Sequence, residues 1–374
     1  MRVALVHRFF WRAGAVPAVI REWADHLDAA GHEVVVFASD VRSEESTGRR
    51  AYVPVRLGKI KAFDLAGLRF AAGLAAVLQR RRRARPDVLL AVDSTAYFGA
   101  WLAGKRLRVP TIMAFQGWVY SPGKRAMYPR TVAWMYKLSV HFCARWAPKI
   151  ACISREIYGG LRALGTPGDR LWLAPNCVDL GRWKAEKGDA HGRAKRRVLY
   201  VGRFSPEKGL RFLLEALPAV AARVPELRAL LVGGDEAEDG EYHEMARRLG
   251  VAERVVFGGV VPRDALPKVY ADADVLAVPS LAEGHPLAPL ECLACGTPVV
   301  ASDIPGLNET IEDGVNGLLV PPGNPGALAE ALGRILRDDE ARGRMSRAAR
   351  SSVERFSWQD RVREFEALGT SLRA

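Results

Sequence analysis

The segment Val278–Glu291 reads Val-Pro-Ser-Leu-Ala-Glu-Gly-His-Pro-Leu-Ala-Pro-Leu-Glu, and the prediction of the fold starts from it. It continues an apolar run, Leu276-Ala277-Val278, that is typical of a buried strand. Pro286 suits the first position of a helix, and Leu287, Leu290 and Leu293 would lie on the inner face of that helix. A strand, loop and helix in this order direct backbone N–H groups and the positive end of the helix dipole at the loop. The segment therefore predicts a site for an anion, especially a phosphate.

Further motifs follow in a fixed order after this strand. They are Pro279-Ser280, Glu283-Gly284, Glu291, Cys295-Gly296-Thr297-Pro298-Val299-Val300-Ala301, Pro305-Gly306, Glu309 and Asn316-Gly317-Leu318-Leu319-Val320. The set resembles the C-terminal signature of retaining nucleotide-sugar glycosyltransferases with the GT-B fold, the glycosyl transferases group 1, which include bacterial α-mannosyl- and α-glucosyltransferases. Two glutamates alone would be weak evidence, whereas the whole ordered set is specific.

Strand and helix patterns alternate along the chain in two rounds, and the second round begins near Arg197. The predicted strands are Val3–Val6, Glu33–Ala38, Val88–Val92, Thr111–Phe115 and Lys149–Ile153, then Val198–Val201, Arg228–Val232, Val255–Phe257, Val275–Val278 and Pro298–Ala301, with helices such as Val16–Ala30 and Leu65–Arg83 between them. Alternation of this kind predicts parallel sheets covered on both faces, so we expect an α/β fold with two doubly wound, Rossmann-like domains. The resemblance implies that the domains face each other across a cleft. We expect an acceptor-binding domain over 1–180, a donor-binding domain over 190–355 and a last helix, 356–374, that crosses back to the first domain.

Length and composition agree with two cores, since the chain has 374 residues and is 49% hydrophobic. No apolar window reaches the roughly 18 residues of a membrane span, and the N-terminus lacks the long apolar region of a signal peptide, so we expect a cytoplasmic protein. The five scattered cysteines predict reduced thiols rather than a disulfide framework. We expect no metal and no cofactor besides the co-substrate. The sequence Asp272-Ala273-Asp274 resembles a metal signature of another transferase fold, but here it leads into a buried strand.

The loop Gly202–Gly209 follows the strand that opens the second domain. By resemblance, Gly202, Arg203 and Lys208 bind the donor diphosphate, and a guanidinium with an ammonium can neutralise the charge that develops on a pyrophosphate leaving group. The resemblance also implies that Glu291 accepts hydrogen bonds from the ribose hydroxyls and that Glu283 faces the transferred sugar. Two carboxylates could instead indicate glycoside hydrolysis, but their place at a phosphate-binding helix start argues against it. The remaining candidates for donor binding are Gly14, Val261, His285, Leu287 and Ala288.

Three loops depart from the family pattern. The loop reads Glu283-Gly284-His285-Pro286 where the family commonly has Glu-Gly-Phe-Gly, and proline has no N–H to donate to a phosphate. His285 could hydrogen-bond the donor or could simply face solvent. Gln116 stands where the family usually has histidine; an amide can hold a sugar hydroxyl but cannot act as a base, so deprotonation would rest on the leaving phosphate. Gly14 is the one glycine left of a glycine-rich turn, with either a structural or a binding role.

Charge is distributed unevenly. Residues 1–190 hold 31 Lys and Arg against 15 Asp and Glu, whereas residues 191–374 hold 24 against 27. An asymmetry of this size favours a polyanionic partner or an anionic membrane for the first half. Nucleic acid is not expected, because no recognition motif accompanies the charge.

Two features suggest contact with a membrane surface. An apolar stripe, Leu74, Val77 and Leu78, runs into Arg80–Arg83, and a later segment mixes aromatic residues with cations, as interfacial proteins do. The residues of that segment are Trp118, Tyr120, Lys124, Arg125, Tyr128, Arg130, Trp134, Tyr136 and Lys137. A charged helix end with ordinary packing of the aromatic side chains explains the same pattern, and both interpretations stay open.

The sequence thus predicts a retaining hexosyltransferase that uses a nucleoside-diphosphate sugar and a glycan or lipid-linked acceptor. Cell-surface polysaccharide or glycolipid synthesis, at the inner face of the plasma membrane, is the expected setting. The alternatives are a nucleotide-sugar epimerase or hydrolase on the same fold, and a nucleotide-sugar-binding protein without turnover.

Overall fold

A computed structural model describes residues 1–7, 14–39, 45–47, 50–55, 72–74, 76–78, 80, 85–92, 94–121, 130–184, 196–234 and 236–373. Its contacts divide the chain into two compact units. The first comprises Met1–Val119, Tyr128–Asn176 and Trp358–Ala374, and the second comprises Cys177–Ser357 with Tyr120 and Ser121.

The first unit is built on an eight-stranded sheet of order β3-β4-β2-β1-β5-β6-β7-β8. Its strands are β1 (Arg2–Val6), β2 (Glu33–Ala38), β3 (Glu45–Thr47), β4 (Arg50–Pro54), β5 (Val88–Ala91), β6 (Thr111–Phe115), β7 (Lys149–Cys152) and β8 (Leu171–Leu173). Its helices are α1 (Ala15–Ala29), α2 (Ser94–Leu107), α3 (Arg130–Trp146), α4 (Arg155–Ala163) and α11 (Trp358–Ser371). All neighbouring strands are parallel except β3 and β4, so the predicted parallel sheet has one antiparallel pair at its edge.

The final helix, α11, packs against α1 through aromatic side chains of the first unit. Trp358 and Phe365 of α11 lie 5.2 and 5.3 Å from the ring of Trp23, centroid to centroid. Trp172 of β8 joins the same cluster, 6.5 Å from Trp23. The cluster joins the end of the chain to its beginning by burial of aromatic rings, and His32 Nε2 lies 2.7 Å from Glu366 Oε1 beside it.

The second unit has a six-stranded, fully parallel sheet of order β11-β10-β9-β12-β13-β14. Its strands are β9 (Arg196–Val201), β10 (Leu227–Val232), β11 (Val255–Gly259), β12 (Val275–Val278), β13 (Val299–Ser302) and β14 (Gly317–Val320). Its helices are α5 (Leu210–Arg223), α6 (Glu236–Arg248), α7 (Leu266–Ala271), α8 (Leu287–Ala294), α9 (Pro325–Arg337) and α10 (Asp339–Ser352). This order is the one typical of dinucleotide-binding folds, and it reverses between β9 and β12.

Two apolar cores cover the faces of the second sheet. Alternate residues of β9 point to opposite sides: Val198 and Tyr200 pack with α5 and α9, whereas Leu199 packs with α7, α8 and α10. Both sets are buried, because parallel strands in such a sheet are covered from both sides. This explains why the strands read as continuous apolar runs in the sequence.

The prediction of strands was correct where the apolar run was long. The structure gives β2, β6 and β12 the predicted limits, but the sequence analysis missed the short strands β3, β4, β8 and β14. Within the predicted helix 65–83, the described positions 72–74, 76–78 and 80 are helical. Leu74 and Leu78 there are buried at 0% and 1% exposure, so this stripe packs inside the protein and is not a membrane-contacting face. Arg80 is exposed, and Arg81–Arg83 lie outside the described residues.

Two further sequence expectations can be compared with the structure. The structure describes all five cysteines, and each is a buried thiol outside any disulfide. Within the part of the chain that the structure describes, every helix is too short or too polar to cross a membrane.

Candidate functional site

Two loops of the second unit meet where the strand order reverses. One follows β9 and contains Gly202–Gly209; the other follows β12 and contains Pro279–Pro286. The N–H of Leu281 donates to the carbonyl of Glu207 at 2.8 Å and ties the loops together. Gly209 has a positive φ of 67°, and a Cβ there would lie 2.0 Å from the carbonyl oxygen of Pro279. Only glycine permits this approach, which sets the two loops side by side at the ligand-binding edge of the sheet.

The centre of the site is a contact between Lys208 and Glu283. The Lys208 ammonium donates to both carboxylate oxygens, at 2.8 and 2.9 Å from Nζ. The Ser280 hydroxyl also donates to Glu283, at 2.7 Å. The Glu283 side chain is 8% exposed and that of Lys208 is 24% exposed, so the pair is largely desolvated while the lysine retains access to solvent. The structure thus brings together two predicted site residues that are 75 positions apart in the chain.

Arg203 has its own carboxylate partner in the same loop. Its guanidinium pairs with Glu207 at 2.8 Å, with side-chain exposures of 71% and 9%. Burial tends to raise the pKa of Glu207, but hydrogen bonds to its carboxylate and the charges of Arg203 and Lys208 outweigh burial and lower that pKa. The buried Tyr200 hydroxyl donates to the backbone carbonyl of Arg203 at 2.7 Å and positions the loop. Arg203 is therefore exposed and anchored at once, as an anion-binding cation must be.

Glu291 lies inside α8 and is only 5% exposed. Its carboxylate accepts a hydrogen bond from the Tyr270 hydroxyl at 3.1 Å and pairs with the Arg263 guanidinium at 3.0 Å. Arg263 also lies over the ring of Trp183, 5.1 Å from its centroid. Burial raises the pKa of the Tyr270 hydroxyl, and the charge of Glu291 raises it further, so this hydroxyl remains a donor. Sequence reasoning missed Arg263 and Tyr270, because no motif marks them.

The start of α8 differs slightly from the prediction. The helix begins at Leu287, and Pro286 is its N-cap rather than its first residue. Pro286 and Pro289 have no N–H, so Leu287 and Ala288 supply the first-turn donors that lack an acceptor within the helix. Ala288 and the half-buried Val261, which follows β11, both pack against the core that includes α8.

His285 is buried, with 2% of its surface exposed. Its Nε2 lies 3.2 Å from the Thr310 hydroxyl, and its ring lies 5.1 Å from that of Phe356. The alternative of a solvent-facing histidine is therefore wrong. Next to it, a Cβ on Gly306 would lie 2.1 Å from the carbonyl oxygen of Gly284, so this loop is packed tightly on both sides.

The aspartates of the Asp272-Ala273-Asp274 sequence do not gather into a metal site. Asp274 accepts a hydrogen bond from the backbone N–H of Arg197 at 2.8 Å and pairs with Arg342 at 3.5 Å. It thereby joins β9 to α10. Elsewhere in the described residues, no group of three or more His, Cys, Asp or Glu side chains is placed to hold a metal ion.

The remaining two candidates, Gly14 and Gln116, belong to the first unit. Gly14 is the N-cap of α1 with a φ of 135°, a conformation that L side chains rarely adopt. Gln116 is half-buried directly after β6. The strand order of this sheet reverses between β1 and β5, and β6 is the next neighbour of β5. Gly14 at the start of α1 and Gln116 at the end of β6 therefore lie toward the carboxyl edge, where such sheets bind ligands. Trp118, two residues on, packs closely on Gly160 and is part of the core.

Comparison with known proteins agrees with this architecture. The model of the family described as glycosyl transferases group 1 matches residues 182–352, and that of a glycosyl transferase 4-like domain matches residues 14–177. The chain is 30% identical over 376 residues to the D-inositol 3-phosphate glycosyltransferase of Nocardia farcinica, covering 92% of this chain and 82% of that protein. The chain belongs to the glycosyl transferases group 1 family. The resemblance inferred from the motifs is thereby confirmed.

Other curated relatives match over a shorter range. The D-inositol 3-phosphate glycosyltransferase of Corynebacterium glutamicum is 39% identical over 176 residues, which is 46% of this chain and 42% of that protein. In this alignment, and in those with two other relatives, the chain spans less than half of the relative's own length.

Solved structures support the fold over the whole chain. Sucrose-phosphate synthase from Thermosynechococcus elongatus superposes with a TM-score of 0.83 at 24% identity, covering 99% of this chain and 98% of that one. Anabaena HepE in complex with UDP superposes with a TM-score of 0.81 at 21% identity, covering 99% and 100%. The predicted GT-B fold with two Rossmann-like domains is thus confirmed.

Proposed function

We propose that this chain is a retaining glycosyltransferase that moves a hexosyl unit from a nucleoside-diphosphate sugar to a glycan or lipid-linked acceptor. The observation that carries the proposal is the pairing of Lys208 with Glu283 at the reversal of strand order, beside Arg203 and the start of α8. Membership of the family supports the donor class. Cell-surface polysaccharide or glycolipid synthesis in the cytoplasmic compartment is the setting that we propose.

In this proposal the donor diphosphate lies between the two loops. Lys208 and Arg203 exchange their carboxylate partners for phosphate oxygens, and the N–H groups of Leu287 and Ala288 add donors at the positive end of α8. Cleavage of the bond between the anomeric carbon and the diphosphate oxygen leaves charge on that oxygen, which these groups stabilise most in the transition state. Glu283, which keeps the hydrogen bond from Ser280 when Lys208 turns to the phosphate, is the carboxylate placed to face the transferred sugar.

We assign the nucleotide's ribose to Glu291. A carboxylate is acceptor-only and can receive both ribose hydroxyl protons. The same oxygens contact Tyr270 and Arg263, so nucleotide binding must displace or share the Arg263 contact.

No conventional base is required on the acceptor side. Gln116 can hold a sugar hydroxyl through its amide but cannot take a proton at neutral pH. We propose that the leaving phosphate accepts the acceptor proton on the same face on which the donor bond breaks, which gives retention of configuration.

The proposal is tested first by nucleotide binding and then by product analysis. UDP, GDP, ADP and dTDP are compared by thermal shift, with UDP first because HepE was solved with it; a ligand at 100 times its Kd adds about 2.7 kcal/mol of stability. The corresponding glucose and mannose conjugates are then offered with D-inositol 3-phosphate, the acceptor in the names of the curated relatives, and with lipid-linked sugars. NMR of the anomeric proton distinguishes a retained from an inverted product.

The outcomes separate the alternatives. A new glycoside with retained configuration supports the transferase. Free hexose or an epimerised donor would indicate a hydrolase or epimerase instead. Nucleotide binding without any turnover would indicate a binding protein. This alternative is worth testing because Gln116 cannot act as a base and Pro286 has no N–H to donate to a phosphate.

A further inference from the structure

Helices α2 and α3 of the first unit carry exposed apolar side chains. Phe98 is 46% exposed, Trp134 62%, Leu138 48% and Trp146 50%. These are four of the eight large hydrophobic residues exposed in the described part of the chain, and they include every aromatic one among the eight. Single exposed apolar residues are ordinary, but several on adjoining helices form a patch that needs a partner.

The exposed residues are joined by ring contacts across the two helices. The ring of Phe142 lies 5.6 Å from Phe98 and 5.4 Å from Trp101, and Trp101 lies 6.4 Å from Trp146. The indole N–H of Trp101 also donates to the carbonyl of Trp146 at 3.2 Å. These contacts join Phe98, Trp101, Phe142 and Trp146 into one cluster.

Helix α3 extends this surface along its length. Trp134, Leu138 and Phe142 follow at intervals of four residues and so lie on one side of the helix, whereas Val140 and Cys143 are buried on the other. The distance along the axis from Trp134 to Trp146 is about 18 Å. We call this surface the α2–α3 face; its apolar members are Phe98, Trp101, Trp134, Leu138, Phe142 and Trp146.

Cations lie directly on the rings of the α2–α3 face. Lys105 Nζ is 4.6 Å from the centroid of the Trp101 ring, and Arg145 Cζ is 4.5 Å from that of Trp146. The sequence between Ser94 and Arg155 contains ten Lys or Arg residues and no Asp or Glu. The face therefore combines apolar rings with positive charge that no acidic residue of this segment offsets.

We infer that the α2–α3 face docks the protein on an anionic lipid bilayer. Tryptophan rings settle at the boundary between headgroups and acyl chains, while lysine and arginine reach the anionic headgroups from the same helices. The inference needs no turnover and stands apart from the donor chemistry proposed above. It also assigns membrane contact to a surface other than the buried stripe at Leu74 and Leu78.

A second copy of the chain fits this face less well. A two-fold dimer would place the same surface against itself, so Lys105 and Arg145 would face their own copies, and the segment from Ser94 to Arg155 has no carboxylate to pair with them. Like charges brought together in an interface are repelled, whereas an anionic bilayer neutralises them. Charge complementarity thus favours the bilayer.

The test uses the purified full chain and vesicles of phosphatidylcholine, with or without phosphatidylglycerol, in a sedimentation assay without donor or acceptor. We expect binding to vesicles that contain phosphatidylglycerol. The pair Trp134→Ser and Leu138→Ser should lower the partition coefficient by about tenfold or more, because both side chains leave water on docking. Lys105→Gln and Arg145→Gln should lower it by about fivefold per cation at low salt and far less at high salt.

The matched control combines Val256→Ser and Arg248→Gln, which change an exposed apolar residue and an exposed cation of the second unit. It should bind vesicles as the unaltered chain does. Because Trp134 and Leu138 are mostly exposed, their variants should keep the thermal midpoint, which separates lost docking from lost folding.

Three results would overturn the inference. The first is that the chain binds neither kind of vesicle. The second is that the control variant loses as much vesicle binding as the Trp134 and Leu138 variant. The third is that light scattering shows a dimer, which the Trp134 and Leu138 variant converts to a monomer. Nucleotide binding, measured separately by thermal shift, would decide the transferase proposal whichever way the vesicle assay turns out.

Discussion

Replacing Lys208 by methionine tests the central contact of the site. The substitution keeps the aliphatic stem and removes the ammonium that pairs with Glu283 at 2.8 and 2.9 Å. The carboxylate, 8% exposed, is then left with the hydrogen bond from Ser280 and without its cation. Two properties should change together: the stability of the second unit and the rate of transfer.

The expected loss of stability follows from the burial of the pair. Leaving a buried charged group without its partner costs about 1.5–3 kcal/mol, and we take the lower part of that range, about 1.5–2 kcal/mol, because Lys208 is 24% exposed. For a domain of 150–250 residues this lowers the thermal midpoint by about 3–8 °C. Adding Glu283→Gln removes the uncompensated charge, so the double variant should recover most of the loss.

The expected loss of activity is larger than the loss of stability. Removing one group that stabilises charge in the transition state lowers kcat by about 10²–10³-fold. The double variant should recover stability but not turnover, since the ammonium is still missing. Steady-state kinetics with the nucleotide sugar found by thermal shift, alongside differential scanning calorimetry, measures both effects.

The chain offers a matched control in Arg247→Met. Arg247 pairs with Glu244 at 2.7 Å, a similar distance, but the two side chains are 64% and 56% exposed. An exposed pair contributes less than about 1 kcal/mol, so this variant should melt and turn over almost as the unaltered chain does. Unchanged turnover in Lys208→Met would refute the diphosphate assignment, and additive effects in the double variant would refute the contact itself.

Three other predictions follow from the geometry. Glu291→Ala should weaken nucleotide binding about tenfold, measured by calorimetric titration, because about two hydrogen bonds to the ribose are lost; unchanged affinity would contradict the ribose assignment. Gly209→Ala should lower the thermal midpoint, since the added Cβ would lie 2.0 Å from the Pro279 carbonyl oxygen. The control is Gly159→Ala in α4, where an added Cβ meets no atom within 4 Å and the substitution should stabilise the protein by about 0.5–1 kcal/mol. Burial raises the pKa of Cys152 from 9.0 to about 12, so between these pH values the folded protein keeps a proton that the unfolded protein loses. The free energy of unfolding should therefore fall by about 1.4 kcal/mol per pH unit as the pH rises from 9 to 12. Cys152→Ala should flatten that slope in denaturant titrations.

The sequence predicted the second unit well because its signals are local. Long apolar runs such as Val275–Val278 can satisfy their burial only inside a covered sheet, so strand position follows from the run itself. The short strands β3 and β4 have no such run and are formed by pairing with strands already in place, so they could not be found from the chain alone. The strands β8 and β14 contain short apolar runs, Leu171–Leu173 and Leu318–Val320, that were not predicted as strands.

The residues of the candidate site also fall into two groups, those that the sequence indicated and those that only the structure shows. The family resemblance was enough to propose Arg203, Lys208, Glu283 and Glu291 as site residues, because the motifs that contain them keep the family's order and spacing. It gave no indication of Arg263, which reaches Glu291 from a different loop at 3.0 Å. Nor could it decide whether His285 faces solvent, since exposure depends on Thr310 and Phe356, which arrive from later in the chain.

The sequence by itself determined the alternation of strands and helices, the two doubly wound sheets and the family, since hydrophobic period and motif order are properties of neighbouring residues. The tertiary structure alone decided which charges meet and which aromatic rings stay in water. Trp118 and Trp134 look alike in the sequence, yet one is 7% and the other 62% exposed. The physical reason is that burial and desolvation, which set the energy of an ion pair or an apolar surface, depend on elements that are distant in the chain and close only after folding.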